Sequence, residues 1–274
     1  MLYRTYIPRP PLSDFVNLFW LYEGHDPPHA KERVLPTGTM ELVIDLHEDE
    51  IRVYDGQNHD QFQSFGTALI CGAHSGPFVI DTASQARVMG VHFKPGGAYP
   101  FFGLPATELR DAHASLETLW GAKAVELRDR LLEAETLEAG FHLLERTLLT
   151  RATRSLRRHP AVAYALKEFQ GVPHARTISD VSDRTGLSRR RFIRVFGEEV
   201  GLTPKRFCRV RRFQEVLGLI KREQRVDWGE IALGCGYFDQ AHFIHDFRAF
   251  SGLTPTAYLA RRTEHLNHVP LRDP

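Results

Sequence analysis

Gly186-Leu187-Ser188-Arg189-Arg190-Arg191-Phe192-Ile193-Arg194-Val195-Phe196, continuing to Gly201-Leu202-Thr203-Pro204 and Phe207, has a degenerate second copy further along the chain. There, Phe243-Ile244-His245-Asp246-Phe247 leads into Gly252-Leu253-Thr254-Pro255 and Tyr258. Each residue of the later stretch lies 51 positions after its counterpart. Upstream of the turns, Val181 and Ile231, Ser182 and Ala232, and Gly186 and Gly236 are only 50 apart. An offset that slips by one at a turn marks two copies of one small helical unit, the second with an extra residue between its helices. Two helix–turn–helix units in one chain point to the reading of two adjacent segments of a DNA major groove.

The local chemistry of each unit supports this reading. Thr177 and Asp180 have the spacing of a capping box, so a helix starts there, with Ile178 and Val181 on its apolar side. Gly186 falls where the chain must turn, and Ser188 can cap the next helix. On that helix Phe192, Val195 and Phe196 form a buried stripe, leaving Arg189, Arg190, Arg191 and Arg194 on the other faces near its N-terminal end. A recognition helix meets DNA there: its dipole and free amides favour phosphate, and the arginine fork fits a guanine edge. In the second unit Asp227 and Glu230 are the capping pair, Trp228 and Ile231 face inward, and Gly234-Cys235-Gly236 ends the helix. Asp239 caps the next helix, Phe243 and Phe247 are its stripe, and Gln240, Ala241, Ile244 and His245 face the other way. Glutamine suits adenine and alanine suits the thymine methyl. Thr203-Pro204 and Thr254-Pro255 each start a further helix. The stripe Phe207, Val210, Phe213, Val216, Leu217 and Ile220 makes the first of these a long connector, expected to hold the recognition helices about one DNA turn apart, ~34 Å.

Charge divides along the same line. The net charge of +1 conceals 12 Lys and Arg against 21 Asp and Glu in residues 1–150, a balance of −9, and 23 against 13 in residues 151–274, a balance of +10. Only the second half is suited to a polyanion. With 42% hydrophobic and 25% charged residues, the chain has ordinary globular composition, and 274 residues suit two domains. No apolar run approaches the roughly 18 residues of a spanning helix, and Met1–Pro8 has no signal-peptide core. Three scattered cysteines, Cys71, Cys208 and Cys235, read as reduced small hydrophobes; together these features predict a cytoplasmic protein without membrane contact.

The acidic half is strand-rich up to about residue 105. Met40–Leu46, Ile51–Tyr54 ending at Asp55-Gly56, Leu69–Gly72, Phe78–Ile80 and Val88–Phe93 have strand length and turn punctuation. Many short strands predict a small barrel or sandwich. From Thr107 to Arg157 the apolar period becomes helical, through Leu127, Leu131, Leu144 and Leu148. The domains expected are therefore 1–105 strand-rich, 106–157 a helical linker or dimerisation segment, and 158–265 all-α, an α+β chain overall.

Residues 160–262 resemble the AraC/XylS family of bacterial transcription regulators. The pattern Ile231-Ala232, Gly236-Tyr237, Phe243, Phe247, Gly252, the repeated Leu-Thr-Pro, and Arg212 five residues after Phe207 carry the likeness. It implies DNA contact by Ser188, Arg189, Arg190, Ile193 and Arg194 in the first unit and by Asp239, Gln240, Ala241, Ile244 and His245 in the second. The family usually has arginine at the place of His245. The amino-terminal half is similar to a domain of one subgroup, through Leu35-Pro36-Thr37-Gly38 with Glu41-Leu42 and through Gly90–Ala98. In the wider family such a domain is often a cupin-like barrel that binds a small-molecule effector or pairs subunits. The partners implied are promoter DNA, an effector, a second copy of the chain and RNA polymerase.

Catalytic readings find little support. A metal-dependent cupin needs converging histidines and a carboxylate; His74, His92 and Glu41 are the candidates, without a His-x-His pair, so no metal and no cofactor is expected. Methyl-transfer repair needs an activated cysteine, and Cys71 has no basic neighbour in sequence. Lys94-Pro95-Gly96-Gly97 lacks the spacing of a phosphate loop. Arg154 and Arg158, one helical turn apart, read as a solvated linker face.

Overall fold

The computed structural model describes residues 2–24, 30–82, 86–171, 177–222 and 226–271. Eleven strands and ten α-helices are present among them, with short 3-10 turns at Leu12–Asp14 and Ala106–Leu109. The strands are β1 (Leu2–Tyr6), β2 (Val16–Glu23), β3 (Lys31–Val34), β4 (Glu41–Asp45), β5 (Ile51–Tyr54), β6 (Phe62–Phe65), β7 (Ala68–Cys71), β8 (Phe78–Asp81), β9 (Arg87–Phe93), β10 (His113–Ser115) and β11 (His268–Leu271). They form two antiparallel sheets, ordered β1-β2-β9-β4-β7-β10 and β11-β3-β8-β5-β6. The amino-terminal half is thus a sandwich and not a closed barrel. The sandwich also passes the expected boundary at residue 105, because β10 pairs with β7 in the larger sheet, and the smaller sheet recruits β11 from beyond residue 265.

Register assigns the two faces of the larger sheet. Phe19, Val91, Leu42, Ile70 and Ala114 follow one another across five strands. Period-two alternation puts all five on one side, where they join the main core with helices α1 (Leu116–Trp120), α2 (Ala122–Leu132) and α3 (Leu137–Arg151). Tyr6 stacks on Phe141 of α3 at 5.6 Å, and the Trp120 indole donates to the Phe101 carbonyl at 3.2 Å. Val43 and Leu69 point the other way, toward Ile51 and Val53 of the smaller sheet. The neighbouring row on that inner side is Leu18, His92, Glu41, Cys71 and His113.

The second half is helical: α4 (Pro160–Gly171), α5 (Ile178–Arg184), α6 (Arg189–Val200), α7 (Pro204–Arg222), α8 (Trp228–Gly234), α9 (Gln240–Ser251) and α10 (Pro255–Leu259). Helix α7 is its axis. Phe207, Val210, Phe213, Val216, Leu217 and Ile220 are all fully buried. Phe207 meets Phe196 of α6 at 5.7 Å, and Phe213 meets Phe247 of α9 at 5.2 Å. Arg209 holds Asp246 of α9 through two bonds of 2.6 and 3.3 Å, with the Asp246 side chain only 2% exposed.

The sandwich packs directly on this axis, and the two amino-terminal motifs are the contact points. Gly38 of Leu35–Gly38 lies against Val210 and Phe207, and Gln214 donates to the Pro36 carbonyl at 2.8 Å. Arg158 donates to the Pro95 carbonyl at 2.6 Å and to the Asp14 carbonyl at 3.2 Å. It is a docking residue, not the solvated linker arginine of the sequence reading. Gly201, at φ +88°, sits so close to Ala73 and Ala106 that a β-carbon there would be 3.0 Å from the Ala73 methyl. Only glycine both adopts that dihedral freely and leaves that space.

The Arg209–Asp246 pair joins the second unit to the axis, with the carboxylate buried and the guanidinium partly exposed. Asp246→Ala is expected to lower stability by about 1.5–3 kcal/mol by removing the two charge-assisted hydrogen bonds from Arg209. Arg209→Met with Asp246→Leu should recover most of that loss, as read from denaturant midpoints.

Candidate nucleic-acid interface

Both helix–turn–helix units form as their sequences predict. The Thr177–Asp180 capping box is complete, with both reciprocal bonds at 3.1 Å. The turn glycines Gly186 and Gly236 have φ values of +70° and +72°. Ser188 accepts from the Arg191 amide at 3.4 Å and Asp239 from the His242 amide at 2.7 Å, so each recognition helix begins at a side-chain cap. Asp227 accepts from the amides of both Gly229 and Glu230. Phe192, Phe196, Phe243 and Phe247 are fully buried, as a core stripe must be.

The remaining faces are open. Arg189, Arg190, Arg191 and Arg194 on α6 are exposed, as are Gln240, Ala241, His242 and His245 on α9. Among the described residues no ion pair engages Arg189, Arg190 or Arg191; Arg194 makes a loose i,i+4 contact with Glu198 at 3.4 Å. Ile193 and Ile244 are half-buried and pack partly on the core, so each offers only part of its side chain to a partner. Ser188 and Asp239 use side-chain oxygens for capping. They orient the helix ends, and the Asp239 carboxylate is unsuited to phosphate.

One feature escaped the sequence reading, and a second was named there without its contact. The extra residue of the second unit lies in Tyr237-Phe238, between Gly236 and the cap Asp239. Tyr237 is buried, whereas Phe238 is 88% exposed directly before α9. The one-residue slip in the repeat was the available signal. The second feature is Arg212, whose guanidinium donates to the Gly236 carbonyl at 3.0 Å and lies 4.9 Å from the Tyr237 ring centre. It holds the turn that aims α9.

None of the three cysteines is an activated nucleophile. Burial pushes the Cys208 and Cys235 thiols up to about 12. Burial, with Glu41 nearby, pushes Cys71 well above the ordinary thiol range. No helix among the described residues is long and apolar enough to cross a membrane.

Two capped recognition helices on one shared axis define a double helix–turn–helix protein of the DNA-binding class. Residues 181–261 match the family model of a helix-turn-helix domain, and residues 4–115 match a domain of unknown function (DUF6597). A curated relative from Haemophilus influenzae, an uncharacterized HTH-type transcriptional regulator, is 32% identical over 117 residues, covering 43% of this chain and 38% of that protein. The chain therefore spans well under half the length of that relative. Over its second half the chain therefore carries a helix-turn-helix domain and is similar to a helix-turn-helix transcriptional regulator. Among solved structures it is similar to fatty-acid-bound ToxT from Vibrio cholerae (11% identity, 89% of this chain and 95% of that one, TM-score 0.47). It is also similar to the C-terminal domain of AraT, a response regulator from Geobacillus stearothermophilus (23% identity, 40% and 93%, TM-score 0.36).

The caps give a direct check on helix aim. Asp239→Ala and Ser188→Ala should each cost about 1 kcal/mol of stability, measured by thermal or denaturant unfolding.

Proposed function

We propose that this protein is a sequence-specific DNA-binding transcriptional regulator whose amino-terminal sandwich controls the DNA-binding half. The observation that carries the reading is the pair of capped helices with exposed arginines on α6 and exposed Gln240, Ala241 and His245 on α9. Arg190 and Arg194 read guanine edges, Arg189 positions the helix on phosphate, and Gln240 with Ala241 reads adenine and thymine. Ile193 and Ile244 add apolar contact at the margin. His245 occupies the outer face of α9 as a polar contact, shorter in reach than the arginine usual there. Phe238 extends the surface of the second unit with an apolar group suited to a thymine methyl or a deoxyribose.

Control by the sandwich is supported by where it touches. Its contacts with Gly201, Arg206, Val210 and Gln214 fall on α7 and on the turn entering it, the part shared by both units. A displacement of the sandwich bears on both recognition helices at once, whether it originates in a ligand or in pairing of two copies.

Selected operator duplexes in a salt-titrated binding assay test the assignment. Arg190→Ala and Arg194→Ala should each weaken the specific site by about 1–3 kcal/mol and relax preference at one base pair. Arg189→Ala should weaken all duplexes alike and lower the salt slope by about 1. Phe238→Ala should weaken the specific site without changing that slope. Wild-type affinity in both the Arg190 and Arg194 variants would overturn the assignment of base contact.

A further inference from the structure

Cys71, His74 and His113 come together at the β10 end of the larger sheet. Strand pairing sets Cys71 directly opposite His113, so both side chains share the inner face of the sandwich. His74 reaches the same point from the loop that follows β7. One ligand atom from each of the three lies within 4.8 Å of the others. The ring centres of His74 and His113 are 4.6 Å apart, and Phe78 is 4.6 Å from both.

The hydrogen bonding of this cluster is incomplete in an informative way. The Nε2 atoms of both His74 and His113 are buried and have no hydrogen-bond partner, although His74 is only 8% exposed. His74 is bonded to the Ala112 backbone. With its Nε2 unpartnered, that bond engages Nδ1, so Nδ1 carries the proton and Nε2 presents a lone pair. An imidazole oriented by a backbone carbonyl through its second nitrogen is the usual arrangement of a metal-bound histidine. Buried polar nitrogens without partners are costly, and an ion bound by both removes that cost. Burial also holds both rings neutral, pushing His74 down to about 4 and His113 to about 3, which is the ligating form.

We propose that Cys71, His74 and His113 form a binding site for a thiophilic divalent ion, Zn2+, with a fourth position open to water. One thiolate and two imidazoles are a donor set zinc favours, and bonds of about 2.0–2.3 Å would place the ligand atoms about 3.5 Å apart, a closure of roughly an ångström from the present spacing. Binding displaces the Cys71 proton to solvent. Glu41, opposite Cys71 on β4, and Asp111, close to His74, supply negative potential for the cation. The site does not depend on the DNA-binding reading. It does reach the helical half: Arg206 of α7 donates to Ser75 at 3.1 Å and to Asp111 at 3.2 Å, the residues next to the His74 and His113 segments. Closing the ligand set therefore tightens the seat of Arg206.

The test uses the full chain stripped by chelator, with Co2+ as the spectroscopic probe. Cobalt should give a thiolate charge-transfer band with tetrahedral visible absorption at one ion per chain, displaced by Zn2+. Cys71→Ser should abolish the charge-transfer band. His74→Gln and His113→Gln should each weaken Co2+ and Zn2+ binding at least tenfold, while Cys208→Ser and His92→Gln leave it unchanged. Zinc should raise the thermal unfolding midpoint of the wild type but not that of Cys71→Ser, with circular dichroism of the metal-free variants confirming that they fold. Zinc should also slow amide exchange in the first turns of α7, an effect lost in Arg206→Ala; binding without that effect would overturn the coupling. No band, or a band that persists in Cys71→Ser, would overturn the site and leave the cluster as aromatic packing around Phe78.

Discussion

Burial of one helix on all working sides is the constraint from which the rest of the molecule follows. Helix α7 carries six large apolar side chains with essentially no exposed surface. Its stripe is shared: Phe207 belongs to the first helix–turn–helix unit, Phe213 to the second, and Val210 to the contact with the sandwich. A surface helix needs only one apolar stripe against one neighbour; α7 satisfies three. Its polar residues are used in the same economical way, since Arg209 fixes α9, Arg212 fixes the turn before α9, and Gln214 fixes the Leu35–Gly38 turn. The aim of both recognition helices and the placement of the sandwich are thus consequences of one packing problem.

The helical half was legible because its signals are local. Caps, turn glycines and apolar stripes act within a few residues, and duplication supplied an internal control for each. The Thr177–Asp180 box, the Ser188 and Asp239 caps and the four buried phenylalanines all appear where their spacing put them. The sandwich was legible only in part. Strands with strong apolar runs, such as Glu41–Asp45 and Arg87–Phe93, could be read directly. His113–Ser115 and His268–Leu271 could not, being short, mixed in polarity and defined by partners far away in sequence: His113 pairs with Cys71, 42 positions away, and Leu271 with Lys31, 240 positions away. The cluster of Cys71, His74 and His113 was missed for the same reason, since nothing local marks His113 as a neighbour of Cys71. His92, weighed as a candidate ligand, instead pairs with Glu41 at 3.1 Å.

The two amino-terminal motifs changed meaning once seen in place. Leu35–Gly38 and the Lys94–Ala98 turn carried the resemblance of the first half. Both meet the helical half, one at α7 and the other at Arg158, which leads into α4. Turns that must fit another surface closely restrict their residues as strongly as a ligand site does, because glycine and proline there answer to backbone geometry and to the space available.

Strand β11 gives the helical half a second mooring. The chain leaves the sandwich after α3 and comes back to it when His268–Leu271 zips onto β3, with Leu35 bonded to Asn267 at the end of the ladder and His268 to Glu32 at 3.0 Å. Everything between is a closed loop rather than a pendant on a hinge. Such a loop keeps its two ends at high effective concentration and loses little entropy when it re-engages. Any rearrangement between the halves must then be a small slide with both moorings intact, or an all-or-none release that begins by peeling a four-residue edge strand.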